Sequence, residues 1–577
     1  MTRAAARPGY TLLAVLVVVV VLSLAAYRFT EAMTNEHNAA LRASEAAQAK
    51  TFAASGVHFA AGMLADPDTF KNTLASNPFD NQAFANVSLG PQTGGRQGGR
   101  VSLIAVADTY SGSGEGRYAP RYGVTDESGK LNLNALIQQD PTGQVLHDAL
   151  MKLPNMTEEI ADAIVDWVDT DDTQRTNGAE SAYYTGLNPA YLPKNGPAAS
   201  LDELLLVRGV TPALLYGNDR NRNGKLDPAE ADGNDFNRGW SEFLTVYGRE
   251  VDADVNGNAR IKLNDSALDA ATLSEQLTAA LGQELSDYIL AARLYGTSQV
   301  QNTAVRATVV LSAASGGSMQ ITTTTTTTTT SGSGGGKSSN SSSSSSIKSG
   351  GSSGGNTDRD SGGGSSSGAS SPQTVPGTAD DLRTAVQNSI DTGGQLKQKV
   401  SALLALYNTQ VTLPNPANSP PNTPQKVVAS PLNDPAKLKE LLPKLMDAAT
   451  TRTSFEIVPR VNVNTAPPEV MAAVPGLTQE NIDAIMAARA NLSPDDLATT
   501  TGAWLVTQAN VPPEVYQALD PYITGRTMTY RVHSVGYFGK GGPVARVEAV
   551  IDTNQGHPRI LYYRDVSDLG RGFDLPR

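Results

Sequence analysis

The chain has 577 residues, with 45 Lys and Arg against 57 Asp and Glu, 53 Gly, 33 Pro and no Cys. The missing cysteine excludes a disulfide framework, a thiolate zinc site and a cysteine nucleophile, and the net charge of −12 argues against a protein whose main work is neutralising phosphates. The five histidines, His37, His58, His147, His533 and His557, lie too far apart in sequence to offer a short ligand spacing.

Arg3 and Arg7 precede Pro8-Gly9-Tyr10, after which Thr11 to Ala26 runs without a charge. At about 1.5 Å per residue that stretch with its flanks nearly spans a bilayer. A cleaved secretory signal would share the basic start and apolar middle, with Ser23-Leu24-Ala25 as a small-residue cleavage site. Against this, neither Pro nor Gly interrupts Thr11 to Ser55, and beyond Arg28 the pattern continues as a polar helix carrying Phe29, Met33, Leu41 and Phe52. The expected elements are a leader over 1–9, a transmembrane helix over 10–27 and a stalk helix over 28–75.

A basic leader ending in Gly, then an aromatic residue and an apolar run, resembles the type IV pilin and pseudopilin class. The resemblance implies cleavage by a prepilin peptidase after Gly9 and methylation of the new amino terminus at Tyr10. The class normally has glutamate as the fifth mature residue, whereas this chain has Ala14. A carboxylate in lipid costs about 2.5–3.5 kcal/mol on insertion scales and persists when paired; in these filaments the implied partner is a neighbouring subunit's amino terminus. A subunit lacking it has lost one assembly contact, as in the K-type minor pseudopilin of type II secretion.

A β region is expected over 76–136, where Val101-Ser102-Leu103-Ile104-Ala105-Val106 precedes a Gly/Ser turn near Ser111 to Gly116. A helical domain follows over 137–315. Residues 316–377, including nine threonines from Thr322 to Thr330, offer too little apolar surface to offset ordering entropy and read as a disordered linker. A second helical domain is expected over 378–525 and terminal strands over 526–577. The fold class is α+β: a membrane and stalk helix, a pilin-like sheet and a large, mainly helical insertion.

Leu131-Asn132-Leu133-Asn134, Ile261-Lys262-Leu263-Asn264 and Val461-Asn462-Val463-Asn464 form a weak internal repeat, each an extended segment whose Asn leads into a helix. Two of them lead to alignable hairpins, Leu153-Pro154-Asn155-Met156-Thr157 and Val474-Pro475-Gly476-Leu477-Thr478, with Val207-Arg208-Gly209-Val210-Thr211 as a partial third. These resemble helix-hairpin-helix units, some of which bind DNA. Glu158-Glu159 and Gln479-Glu480 follow the hairpins, and carboxylates there suit a helix N-terminus but repel phosphate. The units are therefore read as packing modules, and nucleic acid is not an expected partner.

Two segments have calcium-loop spacing. The first places Asp169, Asp171, Thr173, a backbone position, Asn177 and Glu180 at positions 1, 3, 5, 7, 9 and 12, with Gln174 where the loop normally has Gly. The second places Asp219, Asn221, Asn223, Asp227 and Glu230 at positions 1, 3, 5, 9 and 12, with Gly224 at 6 and the Lys225 carbonyl at 7. Alternate oxygens can then converge on one ion, the last glutamate in bidentate fashion. Asp252-Ala253-Asp254-Val255-Asn256-Gly257 begins similarly, but Leu263 stands at position 12 and it reads as a turn.

Asp126 to Asn134, Ile164 to Asp171, Gly178-Ala179-Glu180 with Tyr183, and Ser200 to Val207 resemble successive signatures of the K-type minor pseudopilin, in order. The resemblance implies structural calcium at Asp169, Asp171 and Glu180, no enzymatic activity, and a place capping or initiating a pseudopilus that exports folded proteins. It implies an inner-membrane, single-pass protein with its bulk in the periplasm. Its implied partners are other minor pseudopilins, the inner-membrane secretion platform and prepilin peptidase. The rival reading is a type IV pilus or DNA-uptake minor pilin.

Overall fold

In the computed structural model, the described residues are 9–89, 98–105, 121–224, 227–230, 237–300, 305–313, 319–327, 374–416, 418–420, 422–538, 542–554 and 557–573. The expected Gly/Ser turn near 111–116 lies outside them.

Helix α1 spans Gly9–Ala65 without a break. Its two halves meet different surroundings. From Tyr10 to Met33 the large apolar side chains are all exposed, with Leu12, Val17 and Leu22 among them. From Ala49 onward Ala49, Ala53, Val57, Ala60, Ala61 and Leu64 recur at helical spacing and are buried. The helix ends earlier than expected: Asp66 caps a separate short helix, Pro67–Asn72, because proline fits a first turn better than a helix interior.

The buried stripe of α1 packs on an antiparallel sheet. Its strands are β1 (Val87–Leu89), β2 (Gly99–Ala105), β3 (Arg121–Tyr122), β4 (Thr125–Asp126), β5 (Thr529–Phe538), β6 (Ala545–Asp552) and β7 (Arg559–Asp565). The order is β1-β2-β5-β6-β7, with β3 beside β2 and β4 beside β5. Val101, Leu103, Val532, Val547, Ala549 and Ile551 face the helix stripe. Strands more than 400 residues apart thus pair directly, His533 opposite Ile104 and Tyr530 opposite Asp126. Everything from Glu127 to Met528 is an excursion between two neighbouring strands of this sheet.

The chain divides into one compact unit of Met1–Arg260 with Leu442–Arg577 and another of Ile261–Leu441. The boundaries expected near 315 and 378 therefore move. Residues beyond 442 belong to the first unit because β5 pairs with β2 and the Asn462 amide donates to buried Asp126 beside the sheet.

The sequence repeat has a structural counterpart. In the first unit, Leu131 and Asn132 pair in parallel with Leu244 and Thr245, as Val461 and Asn462 do with their return strand. Between each pair lie short helices, including Gln144–Leu150 and Glu158–Val168 in one and Pro468–Ala473 and Gln479–Arg489 in the other. Thr157 and Thr478 cap the second helix of each hairpin. In the second unit, Asn264 follows the same extended entry, and its side chain bonds both the N–H and the carbonyl of Val400. That unit contains the helices Ala270–Leu281, Gln283–Tyr295 and Ala379–Asp391 and a small sheet built around Thr409–Thr412 and Gln425–Ala429.

The expected linker starts later than 316. Val305–Ala313 pairs antiparallel with Met319–Thr327, drawing part of the threonine run into a strand, where β-branched residues are favoured. Residues 328–373 lie outside the described residues.

Candidate metal centre

The first acidic site is built on the helix Glu158–Val168, held in place by its own apolar face. Ile160, Ala161, Ala163, Ile164, Val165, Trp167 and Val168 are all buried, and the Trp167 ring stacks edge-on against Tyr184. Asp166 sits within that packed helix and is fully buried. Asp169 terminates the helix, and Glu180 precedes the short helix Ser181–Tyr184. Carboxylate oxygens of Asp166, Asp169 and Glu180 lie within 4.8 Å of one another.

Three buried carboxylates at that separation repel one another and have lost much of their hydration. Burial, reinforced by Asp166 and Asp169, pushes the Glu180 carboxyl up to about 8. Burial likewise raises Asp166 and Asp169 to about 6 each. Asp166 is partly compensated by the Arg175 backbone N–H at 3.3 Å. Both Glu180 oxygens and Asp169 Oδ1 are buried without a hydrogen-bond donor among the described residues. Asp172 also faces Glu180 and raises its carboxyl further.

Gly178 closes the cradle. A Cβ at this position would overlap the Asp166 carboxylate, so the backbone passes over the site only because no side chain is there. Such a pocket of orphaned oxygens fits a hard cation with an oxygen coordination shell.

The loop spacing read from sequence is realised in part. Asp169 and Glu180 converge, but Asp171, Thr173 and Asn177 are exposed. The Asp171 carboxylate accepts from the Thr173 N–H at 2.7 Å, and the Asn177 N–H donates to Asp162 at 3.1 Å. Asp166 stands where the expected set had no ligand. Its signal was a carboxylate inside the apolar run Ala163–Val168, three residues before Asp169 and hence on the same face.

The second loop curls around its own acids. Asp219, Asn223 and Glu230 are buried. Asp219 accepts from the N–H groups of Asn223 and Gly224, both at 2.9 Å. Glu230 accepts from the N–H groups of Asn221 and Asp227 at 3.0 and 3.2 Å. Asp227 Oδ2 receives the side-chain amides of Asn221 and Asn223 at 2.6 and 2.8 Å. The loop's acids are thus tied to its own backbone N–H groups and side-chain amides rather than gathered into one cluster, while Lys225 lies outside the described residues. Burial raises Asp219 despite its two backbone donors. The Asp252–Gly257 segment is a turn, with Asp254 Oδ1 accepting from the Asn256 and Asn258 N–H groups.

The segment that holds the first site is similar to known proteins. The model of the family described as "Type II secretion system (T2SS), protein K" matches residues 129–216. Residues 129–216 are thus similar to the type II secretion system protein K family. Type II secretion system protein K of Aeromonas hydrophila is 51% identical over 59 residues, 10% of this chain and 18% of the relative. The protein of the same name from Klebsiella pneumoniae is 34% identical over 102 residues, 16% of this chain and 31% of the relative. The chain thus spans less than a third of the length of these two curated relatives. A crystal structure of the GspK-GspI-GspJ complex from the enterotoxigenic Escherichia coli type 2 secretion system covers 90% of this chain and 97% of its own, at 9% identity and a TM-score of 0.35. The matched residues contain Asp166, Asp169 and Glu180 but not the loop at 219–230.

Proposed function

We propose that this chain is a minor pseudopilin that caps or initiates a type II secretion pseudopilus, a structural rather than enzymatic component. The observation that carries the reading is the protein K-like segment joined to α1, a single helix whose first half is apolar and fully exposed and whose second half is the spine of the sheet. That helix is long and apolar enough to cross a membrane. The bulk of the chain then lies on one side of it, in the periplasm, with other minor pseudopilins, the secretion platform and prepilin peptidase as partners. A tip position is supported by Ala14 in place of the usual carboxylate and by the long excursion between β4 and β5, which would crowd a filament if repeated in every subunit.

Calcium is the cofactor of this reading. Asp166, Asp169 and Glu180 would hold one ion, whereas the acids of the 219–230 loop are already tied within it. The ion supplies positive charge to oxygens that lack it and so ties together loop-rich segments without disulfides.

Mass spectrometry of the mature amino terminus tests the assignment. The expected chain begins at N-methylated Tyr10, and Gly9→Val blocks its formation; a mature start near Ala26 would identify a cleaved secretory signal and overturn it.

A further inference from the structure

The acidic site is closed over by the turn 174–178, and the carboxylate that fastens this turn is not one of the three. Asp162 lies one helical turn before Asp166 on the helix Glu158–Val168 and is 6% exposed. Both of its oxygens are already occupied. Oδ1 accepts from Arg175 Nε at 2.9 Å, with His147 Nε2 at 3.5 Å, and Oδ2 accepts from the Asn177 N–H at 3.1 Å. Asp169 and Glu180, by contrast, keep buried oxygens without a donor among the described residues. Asp162 is therefore a fastening for the turn and not a fourth ligand.

Arg175 completes the fastening. Its Nη1 donates to the Thr142 carbonyl at 2.9 Å and its Nη2 to Gln144 Oε1 at 3.2 Å, so one guanidinium joins Asp162 to the segment that enters the helix Gln144–Leu150. A planar fork with donors in fixed directions suits such a three-way tie. The consequence falls on the backbone. With the Arg175 side chain and the Asn177 N–H both held by Asp162, the Arg175 N–H faces the Asp166 carboxylate, 3.3 Å from each oxygen, and Gly178 passes over it. The Gln174 side chain closes the same turn onto the Gly178 carbonyl at 2.7 Å. Glu180 follows two residues later, so its place beside Asp166 and Asp169 depends on where that turn is set.

We infer that Arg175, paired with Asp162, is the positioning residue of the Asp166, Asp169 and Glu180 cation site, and that ion binding there is coupled to the start of the helix Gln144–Leu150. The inference rests on the calcium reading above, and its sign separates it from simple electrostatics. The Arg175 charge lies close enough to act on Asp166 and Asp169. It therefore opposes a bound cation, and removing a mere charge would tighten calcium binding. Removing a positioning residue weakens it.

The test is calcium titration by calorimetry on the full-length protein in detergent, with Glu180→Gln as the reference for calcium taken up elsewhere. Arg175→Met is expected to raise the Kd about tenfold or more, the usual scale for a residue that orients metal ligands. Arg175→Lys should be intermediate, because an ammonium can reach Asp162 but cannot hold Thr142 and Gln144 as well. A merely structural residue would lower the melting temperature equally in calcium and in chelator, whereas in Arg175→Met the calcium increment itself should shrink. Should Arg175→Met fail to fold, hydrogen exchange of the unaltered chain decides: calcium should slow exchange at 175–179 and also at 144–148, which supply no ligand. Unchanged or tighter binding or an undiminished calcium increment in Arg175→Met, or calcium protection confined to 166–181, overturns the proposal while leaving calcium binding standing. Equal calcium uptake by the unaltered chain and Glu180→Gln overturns the metal reading and the proposal with it.

Discussion

Asn134 and Asn464 hold equivalent places in two copies of one structural unit. The Asn134 side chain donates to the carbonyls of Ala198 and Val246 at 2.9 and 3.0 Å and accepts from the Ala198 N–H at 2.9 Å. The Asn464 side chain donates to the carbonyls of Thr499 and Gly525 at 3.0 and 2.9 Å and accepts from Trp504 Nε1 at 2.9 Å. In each copy one amide joins the entering strand to the return strand and to the segment between them. Asn134→Leu and Asn464→Leu should each destabilise the fold, because each orphaned buried group costs about 1–3 kcal/mol. Urea unfolding monitored by tryptophan fluorescence should show a lower midpoint for both, and midpoints like that of the unaltered chain would show the amides to be dispensable.

The repeat was legible in the sequence because alternating apolar residues before an Asn leave a pattern. The return strands were not, since Leu244–Thr245 and Ile523–Thr524 are two residues each and carry no periodicity. The helix α1 could be read from its apolar run and the lack of Pro and Gly, but its burial from Ala49 onward depends on β5 and β6, hundreds of residues away. At the acidic site, Asp169 and Glu180 fitted a loop template. Asp166 escaped it because the template describes a loop, whereas the helix continues through Val168 and places Asp166 on the same face as Asp169.

The metal reading predicts opposite effects of one substitution with and without the ion. Glu180→Gln replaces a buried carboxylate lacking donors with a neutral amide, relieving repulsion with Asp166 and Asp169. In chelator its melting temperature should equal or exceed that of the unaltered chain. In calcium it should gain less, because the native-state ion stabilises by RT ln(1 + [L]/Kd), about 2.7 kcal/mol at a hundredfold excess over Kd. Differential scanning calorimetry in both conditions checks this, and identical calcium increments in the two proteins would remove Glu180 from the site.

Acid should act most steeply through a buried ion network beside the sheet. Burial opposes ionisation of Glu127, but the Arg531 and Lys130 charges outweigh it and hold its carboxyl down to about 2. The Arg531 Nη2 lies 2.6 Å from Glu127 Oε1, and Glu548, also bonded to Arg531, is likewise held to about 2. A carboxylate depressed in the folded state stabilises fully above its unfolded value near 4.5, and that stability is lost as pH falls toward 2. Burial lowers His533 to about 3, so its stabilisation is lost as pH falls from 6.5 to 3. Burial raises Asp126 to about 6 despite its Thr465, Thr527 and Asn462 donors, and this group gains stability as pH falls from 6 toward 3.8. The two cancel in part above pH 4.5, leaving the steep loss below it. Glu127→Gln should flatten the slope of unfolding free energy between pH 4.5 and 2 by up to about 1.4 kcal/mol per pH unit, one proton's worth. An unchanged slope in denaturant titrations across that range would show Glu127 to be uncoupled from acid unfolding.

The docking of α1 on the sheet predicts contrasting outcomes for one kind of substitution at two glycines. Gly536 lies on β5 directly beneath the helix, where a Cβ would overlap the carbonyl of Ala49 and the N–H of Ala53. Helix backbone cannot move aside as a flexible side chain can, so Gly536→Ala must lift α1 from Val101 and Val532 or distort the strand. Such overpacking costs about 1–3 kcal/mol. Gly62 lies within α1 itself and is exposed, and a Cβ there meets nothing within 4 Å. Gly62→Ala should therefore stabilise by about 0.5–1 kcal/mol, since glycine in a helix interior carries extra unfolded-state entropy. The midpoints of urea denaturation should move in opposite directions, Gly536→Ala down and Gly62→Ala up. A Gly536→Ala protein as stable as Gly62→Ala would mean that α1 does not rest on β5, and that the exposed apolar half of the helix is not rigidly continuous with the sheet.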